Sequence, residues 1–204
     1  MDLGRVDRLQ AHEVALLGRT AEGIEVRLRP MTEGDWDLLL AWNNDPEVLY
    51  YAEGDEVVSR PLAEVQALYR EVSQSAFCFI IEAGERPVGE CWLQEMNLGR
   101  ILGRYVGLDA RRIDLMIGDQ AWWGRGVGTA AIRLLTAFGF EEQGADMIWA
   151  CDVADYNPRS RRAFERVGYR LAAEIPQPEG AKARWTYDLV MWRRTYEEAQ
   201  VGQG

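Results

Sequence analysis

The clearest hydrophobic pattern lies in the middle of the chain. Over residues 113–118, apolar residues bracket a single charge, Asp114, in a short run that is typical of a β-strand. Further on, apolar residues recur from Ala130 to Phe138 at a spacing of about 3.6 residues, which predicts an amphipathic helix. The glycine-rich stretch 123–128 separates the two elements. The predicted order is therefore strand, tight turn and helix.

The same reasoning places the other elements along the chain. Alternating or continuous apolar runs predict strands, whereas apolar stripes with N-cap and proline signals predict helices. The other predicted strands cover residues 13–17, 24–29, 77–81, 87–93, 147–151, 169–175 and 185–192. The other predicted helices cover residues 32–43, 61–72 and 157–167, with a helical or frayed tail after residue 194. Residues 47–56 and 97–110 are expected to be loops.

The turn at residues 123–128 is suited to bind an anion. Its glycines leave the backbone bare, and the first N–H groups of the following helix point outward with the positive end of the helix dipole behind them. A phosphate or pyrophosphate fits such a place best. The spacing differs from the dinucleotide fingerprint, and the lysine of the Walker loop is missing. The alternative is that these glycines only allow close packing.

Composition narrows the functional classes. The 204 residues, of which 48% are hydrophobic, suffice for one sizeable core. The net charge of −10 argues against nucleic acid and is compatible with a cationic substrate. One histidine and three scattered cysteines predict no metal site and no disulfide framework, so a cytoplasmic location is the default. The sequence contains neither a long apolar run nor a signal-peptide pattern, so no membrane partner is expected.

A second motif follows at residues 157–169. Asn157 is a strong N-cap for a helix that Gly168 closes. With the glycine turn, this motif resembles the GNAT superfamily of acetyl-CoA-dependent N-acetyltransferases. The pyrophosphate loop of that superfamily has Arg or Gln, two variable residues, Gly, one variable residue, and Gly or Ala. Residues 123–128 match it, except that Trp123 stands in the Arg or Gln place.

The resemblance implies an α/β (α+β) fold with a single GNAT-type domain over residues 24–194. A mixed, mostly antiparallel sheet would be flanked by helices and would split in a V at the cofactor site. Residues 1–23 would be a hairpin arm and residues 195–204 a C-terminal tail. The implied cofactor is acetyl-CoA. Its expected contacts are Met116, Ile117, Gly118, Trp123, Gly124, Arg125, Gly126, Val127, Gly128, Thr129, Asn157, Arg161 and Phe164.

Over residues 24–192 the chain looks most like the aminoglycoside 6′-N-acetyltransferases, with further matching residues at 29–32, 50–54 and 60–66. The resemblance implies direct acetyl transfer to the 6′-amine of an antibiotic. The sequence does not distinguish a monomer from a homodimer. An aspartate on the central strand is the proposed base of that family, and it corresponds to Asp114. A second aspartate, corresponding to Asp152, helps to hold the antibiotic.

The residues themselves also single out Asp114. An unpaired aspartate inside an apolar strand is costly, so a lone charge there indicates a function. Only ~0.1% of an ordinary amine is neutral at pH 7, and a carboxylate can accept the proton of the rest. The alternative is a structural salt bridge to Arg111 or Arg112.

Aromatic and acidic residues at 47–56 suit an amino sugar that carries ammonium groups. The alternative is an exposed loop anchored by two tyrosines. The residues expected to contact a polycationic acceptor are Tyr50, Tyr51, Glu53, Asp55, Asp114, Asp152 and Asp155. Other acceptors stay open, namely polyamines and the α-amines of peptides or ribosomal proteins, as does an acyl-CoA-binding domain without activity.

Phe164 is a departure from the superfamily pattern. Many members have a tyrosine there that protonates the leaving thiolate, and phenylalanine cannot donate a proton. Tyr156, Tyr169 or water would have to substitute, unless no acid is used. A covalent route through Cys151 is disfavoured, because an apolar setting raises the pKa of a thiol.

Overall fold

Eight strands form one sheet in the computed structural model, which describes residues 7–52 and 59–202. The strands are β1 (Leu16–Arg19), β2 (Glu25–Pro30), β3 (Ala76–Ala83), β4 (Arg86–Glu95), β5 (Ala110–Met116), β6 (Met147–Ala154), β7 (Arg170–Pro176) and β8 (Trp185–Trp192). Their order is β1-β2-β3-β4-β5-β6-β8-β7, and neighbours are antiparallel except β5 and β6. The expected mixed, mostly antiparallel sheet is therefore confirmed.

Helices flank this sheet in the described part of the chain. They are α1 (Trp36–Trp42), α2 (Pro46–Ala52), α3 (Leu62–Val72), α4 (Gly99–Leu102), α5 (Val127–Glu141), α6 (Pro158–Val167) and α7 (Arg193–Val201). The segment after β8 is thus helical up to residue 201. The predicted order of strand, turn and helix is present as β5, the glycine turn and α5.

The parallel pair β5 and β6 is joined only near its beginning. Three ladder pairs connect residues 110–112 with residues 147–149, and no later pair joins the two strands in the described chain. Both strands nevertheless continue, to residues 116 and 154. The sheet therefore opens in the expected V between them, with α5 as the crossover that parallel strands require.

The alternation of β5 sends its side chains into two cores, one on each face of the sheet. Ile113 and Leu115 pack in the core beneath α5. Met116 belongs to the core on the opposite face, with residues of α1 and α3. Asp114 shares the face of Met116, because alternate residues of a strand point to the same side. The end of β5 is therefore held from both sides.

The prediction of a loop at residues 47–56 is wrong for residues 47–52, because Pro46–Ala52 is the helix α2. Asp45 Oδ1 accepts hydrogen bonds from the N–H groups of Glu47 (2.9 Å) and Val48 (3.1 Å) and so caps this helix. Pro46 separates α1 from α2 and also occupies the first position of α2, where a missing N–H costs nothing.

The predicted loop at residues 97–110 contains the short helix α4. Ile101 is buried there in a small third core with Met96 and Trp149, and Tyr105 packs against the same core. Val106 stays 82% exposed. The apolar pattern of this segment is weak because α4 is only one turn long and buries a single residue, Ile101.

The N-terminal segment forms the edge of the sheet, where β1 pairs with β2. Leu9 is buried in the core under α1 and α3. The Nε2 atom of His12 lies 2.8 Å from the carbonyl oxygen of Cys78, and burial lowers the pKa of this histidine. The segment thus packs along β3 before it enters β1.

Candidate active site

Two cavities meet where β5 and β6 separate. One, of about 330 Å³, lies beside the glycine turn and is called the loop cavity here. The other, of about 560 Å³, lies against β4 and β5 and is called the strand cavity. Residues from β5, α2 and α6 line both cavities: Tyr51, Ala52, Leu115, Met116, Asn157 and Ser160. A ligand in one cavity therefore lies next to a ligand in the other.

The glycine turn brings bare backbone to the loop cavity. Gly126 is the N-cap of α5 in the left-handed region (φ 79°), and Gly124 has a similar φ of 77°. Gly126, Val127, Gly128 and Thr129 all line the cavity. The free N–H groups of the first turn and the dipole of a 15-residue helix favour an anion there.

The two tryptophans of the turn line the loop cavity and leave it open. The indole Nε1 of Trp123 donates a hydrogen bond of 2.7 Å to the carbonyl oxygen of Ile117, which fixes the ring against the end of β5. Arg125 is exposed, and its guanidinium lies over the ring of Trp122 at 5.3 Å.

Guanidinium groups from α6 form one wall of the loop cavity. Arg159, Arg162 and Arg166 line it, in a chain whose net charge is −10. These positions repeat after three and four residues, the spacing of one helical face. Arg161, the arginine expected from the sequence, instead binds Glu165 at 2.8 Å and stacks on Tyr187. The wall and the bare amides together fit a ligand with several phosphate groups.

Arg159 is clamped between two aromatic rings. Its guanidinium carbon lies 4.4 Å from the ring centre of Tyr51 and 4.3 Å from that of Trp123. Trp123 stands where the loop motif has Arg or Gln. The guanidinium of Arg159 stacks on its ring and so supplies a positive charge at this position. Because Tyr51 also lines the strand cavity, Arg159 connects the walls of the two cavities.

Asp114 lies in the wall of the strand cavity with its side chain 26% exposed. Both carboxylate oxygens accept hydrogen bonds from Arg112, from Nε at 2.7 Å and from Nη2 at 2.8 Å. The indole of Trp92 donates a third, at 3.1 Å. The salt bridge that was the alternative to a functional role is therefore present, and the same carboxylate also faces the cavity.

Asp152 lines the strand cavity from a bulge in β6. Its backbone is in the left-handed region (φ 56°), which is uncommon for residues other than glycine, and such residues cluster at functional sites. Its carboxylate accepts a 2.8 Å hydrogen bond from Arg100, which also binds Asp188. The hydrogen bond to Asp188 raises the pKa of Arg100, because the carboxylate stabilises the charged guanidinium.

The other residues expected to contact the acceptor do not all line a cavity. Tyr51 lines both cavities, whereas Tyr50 is half exposed and packs edge-on against the ring of Tyr51. The carboxylate of Asp155 accepts hydrogen bonds from the backbone N–H groups of Arg184 and Trp185, both at 3.2 Å, and so fixes the start of β8. Glu53 and Asp55 lie outside the described residues.

Asn157 and Phe164 anchor α6 beside the site. Asn157 caps the helix, since its Oδ1 accepts from the N–H of Ser160 at 3.2 Å. Its amide donates to the carbonyl oxygen of Tyr51, also at 3.2 Å, and ties α6 to α2. Phe164 is 2% exposed and belongs to the core, although its ring also borders the strand cavity.

Of the two tyrosines named as substitutes for Phe164 as a proton donor, only one lines a cavity in the described structure. Tyr156 lines the strand cavity. Tyr169 is fully buried with its hydroxyl bonded to Thr136, and burial raises its pKa. Burial likewise raises the pKa of Cys151, which keeps its thiol protonated and disfavours a covalent route.

Glu90 is a residue of the site that the sequence analysis missed. It is 3% exposed, lines the strand cavity, and stands opposite Met116 in the pairing of β4 with β5. The signal was present in the sequence, because Glu90 is also a lone charge within an apolar strand, as Asp114 is.

Among residues 7–52 and 59–202, no group of three or more His, Cys, Asp or Glu side chains is arranged to hold a metal ion. None of the helices there has the length and apolar character needed to cross a membrane.

Known proteins share both the sequence pattern and the fold. The family model of the acetyltransferase (GNAT) domain matches residues 25–170. The aminoglycoside N(6′)-acetyltransferase type 1 of Klebsiella pneumoniae is 26% identical over 191 residues, which cover 86% of this chain and 87% of that protein.

Two solved structures illustrate the likeness in fold. AAC(6′)-Ib in complex with ribostamycin and coenzyme A has a TM-score of 0.68 at 24% identity, covering 86% of this chain and 97% of that one. Spermidine N-acetyltransferase from Vibrio cholerae, solved with coenzyme A and spermine, has a TM-score of 0.67 at 17% identity, covering 84% and 98%.

The match to the family model extends over more than half of the chain and includes both the glycine turn and α6. It confirms acetyl-CoA as the cofactor, and the bare amides and guanidinium groups of the loop cavity fit the phosphates of that molecule. The chain therefore belongs to the GNAT family of acetyltransferases.

Proposed function

We propose that this acetyltransferase acetylates the 6′-amine of aminoglycoside antibiotics, by direct transfer with both substrates bound. The observation that carries the proposal is the wall of the strand cavity, which contains Glu90, Asp114 and Asp152 next to the loop cavity. Several carboxylates around one cavity concentrate and orient a polycation, although each exposed pair contributes only ~0.2–1 kcal/mol. The likeness to an aminoglycoside N(6′)-acetyltransferase supports the same acceptor.

In this proposal the loop cavity holds acetyl-CoA. The cofactor supplies the activated acetyl group as a thioester. The first-turn amides of α5 and the guanidinium groups of Arg159, Arg162 and Arg166 bind its phosphates. Backbone N–H groups near Met116 and Ile117, at the open end of β5, stabilise the carbonyl oxygen as it gains charge.

The acceptor amine arrives as an ammonium ion and must lose a proton. Asp114 is the proposed proton acceptor, directly or through a water molecule. Arg112 holds both of its oxygens, so the arriving ammonium would have to share or displace that guanidinium. Glu90, opposite Met116, adds a second carboxylate that holds the ammonium near the reacting end of β5. Tyr50, Tyr51, Glu53, Asp55, Asp152 and Asp155 are the proposed contacts for the rest of the acceptor.

Replacing Arg159 with glutamine is expected to weaken acetyl-CoA binding. The change removes a guanidinium that two rings hold at the loop cavity, and a hydrogen bond between such a charged group and a phosphate is worth ~1.5–3 kcal/mol. We expect a dissociation constant about tenfold higher by calorimetry. Replacing the exposed Arg133 of α5 with glutamine makes the same charge change and should leave it within about twofold. Equal affinities in the two variants would show that Arg159 does not contact the cofactor.

Replacing Tyr156 with phenylalanine is expected to lower kcat and leave both KM values unchanged. The change removes the proton donor from the strand cavity but keeps the ring. General acid catalysis is typically worth 10²–10⁴-fold, and a thiolate of ordinary pKa needs less help, so we expect a loss of about tenfold. The control is Tyr105→Phe, which removes a hydroxyl from a ring packed against the third core. An unchanged kcat for Tyr156→Phe would leave water as the proton source.

The proposed function is tested by turnover of acetyl-CoA with kanamycin, spermidine and an N-terminal peptide, followed through the released thiol. We expect kanamycin to have the highest kcat/KM and its 6′-amine to carry the acetyl group, as located by mass spectrometry of fragments. Preference for the peptide or for spermidine would instead assign the enzyme to another amine. Binding of acetyl-CoA without turnover of any amine would identify a domain that only binds acyl-CoA.

A further inference from the structure

An ammonium group of the protein occupies an aromatic cage at the rim of the strand cavity. The Nζ atom of Lys182 lies 3.8 Å from the ring centre of Tyr50 and 4.2 Å from that of Tyr156. The two ring centres are 5.6 Å apart and the rings are tilted by 57°. Nζ also donates a hydrogen bond to the carbonyl oxygen of Tyr50. Two ring faces and a carbonyl oxygen form a site that selects a cation.

The cage belongs to the acceptor side of the active site. Tyr156 lines the strand cavity, and so do Ala181 and Ala183 on either side of Lys182. These alanines belong to the loop between β7 and β8, which therefore forms part of the cavity wall. Lys182 connects this loop to α2, the helix that carries Tyr50 and Tyr51. Any displacement of Lys182 would change both the cage and the wall.

We propose that the Tyr50–Tyr156 cage is a second ammonium subsite for the acceptor, which Lys182 fills while no acceptor is bound. The inference rests on the proposed function, because it needs an acceptor with at least two ammonium groups. The reacting amine lies near Asp114, and another ammonium of the same molecule displaces Lys182 from the rings. One cation replaces another of the same kind, so the interaction lost by Lys182 offsets much of what the acceptor gains. Lys182 thereby weakens the binding of polycations and leaves that of monoamines unaffected.

The test compares Lys182→Met with the wild type on two acceptors. One is kanamycin, and the other is a methyl glycoside of 6-amino-6-deoxyglucose, which has only the reacting amine. A cation–π contact of ~0.5–2 kcal/mol corresponds to about 2–30-fold in affinity, so we expect the KM for kanamycin to fall about fivefold. The KM for the monoamine and for acetyl-CoA should change less than twofold. Lys182→Arg, which keeps a cation in the cage, should behave as the wild type.

Removing any positive charge near the cavity increases its affinity for cations in general, so a matched control is needed. Arg184→Gln removes one charge from the exposed part of the same loop and should leave the KM for kanamycin within about twofold. Adding Tyr156→Leu to Lys182→Met should raise the KM for kanamycin again, because the vacated cage is then lost. An unchanged or higher KM in Lys182→Met, or an equal fall for both acceptors, would overturn the proposal.

Failure of the proposed function gives a different result. If the wild type acetylates no aminoglycoside, that function is refuted, and the cage is decided by calorimetric titration of spermine into both proteins. Tighter binding of spermine to Lys182→Met than to the wild type supports the subsite. Equal affinities refute it.

Discussion

Replacing Asp114 with asparagine is expected to lower kcat by about 10²–10⁴-fold, the usual effect of removing a general base. Asparagine keeps the shape of the side chain but cannot accept the proton of the acceptor. It also removes the negative partner that Arg112 has in Asp114, so the arriving ammonium meets a more positive surface. The measurement is steady-state turnover of kanamycin, together with calorimetric binding of acetyl-CoA, which should not change.

The chain offers a matched control for this substitution. Asp109 binds Arg111 through two hydrogen bonds of 2.8 and 3.0 Å, the same kind of pair two residues apart, but it lines neither cavity. Asp109→Asn should therefore leave turnover within about twofold, since its effect is confined to a partly exposed ion pair. A loss of less than tenfold in Asp114→Asn would show that its pairing with Arg112 is only structural, and Glu90 would then become the first candidate for the base.

Replacing Gly118 with alanine is expected to destabilise the protein strongly. A Cβ atom at this position would lie 2.1–2.5 Å from three ring carbons of Trp42, which is buried in the core with α1 and α3. Overpacking of this kind typically costs about 1–3 kcal/mol, and a buried indole cannot move aside without shifting its neighbours. For a chain of this length the expected decrease in Tm is about 2–4 °C per kcal/mol, measured by thermal unfolding.

The same change should also impair catalysis. Gly118 directly follows Met116 and Ile117, which both line the loop cavity, so a shifted backbone moves their N–H groups away from the reacting carbonyl. Gly99→Ala is the control, since nothing lies within 4 Å of a Cβ there and the position is helical. It should be neutral or slightly stabilising, by about 0.4–1 kcal/mol. A Tm for Gly118→Ala equal to that of the wild type would mean that Trp42 can reorient at little cost.

The parts of the fold that local chemistry determines are those that the sequence predicts well. Gly126 and Gly168 both have positive φ values at helix ends, and Asn157 caps α6 with its own side chain. Such signals act over a few residues, so a single sequence contains them. The V-shaped opening and the cofactor required the resemblance to a family, because the pairing of distant strands is not encoded in any one segment.

The features that the sequence analysis did not find have equally specific causes. Helix α2 is missed because Pro46 ends one helix and begins the next, and its cap comes from the preceding Asp45. Arg161 is chosen over Arg159 because a motif gives positions along the chain, whereas the helical face decides which guanidinium reaches the cavity. The position of Lys182 over the Tyr50 ring results from a contact between residues 132 positions apart in the chain, and no local sequence pattern contains such a contact.

The separation of β5 from β6 has a consequence for handling the protein. Beyond residues 112 and 149, each strand keeps a partner on one side only, so two open strand edges lie inside the sheet. Open edges are templates for the addition of foreign strands and thus for aggregation. A cofactor seated between them protects these edges and shifts the population away from partly opened forms. Concentrated stocks should accordingly stay clear longer with acetyl-CoA present than without it.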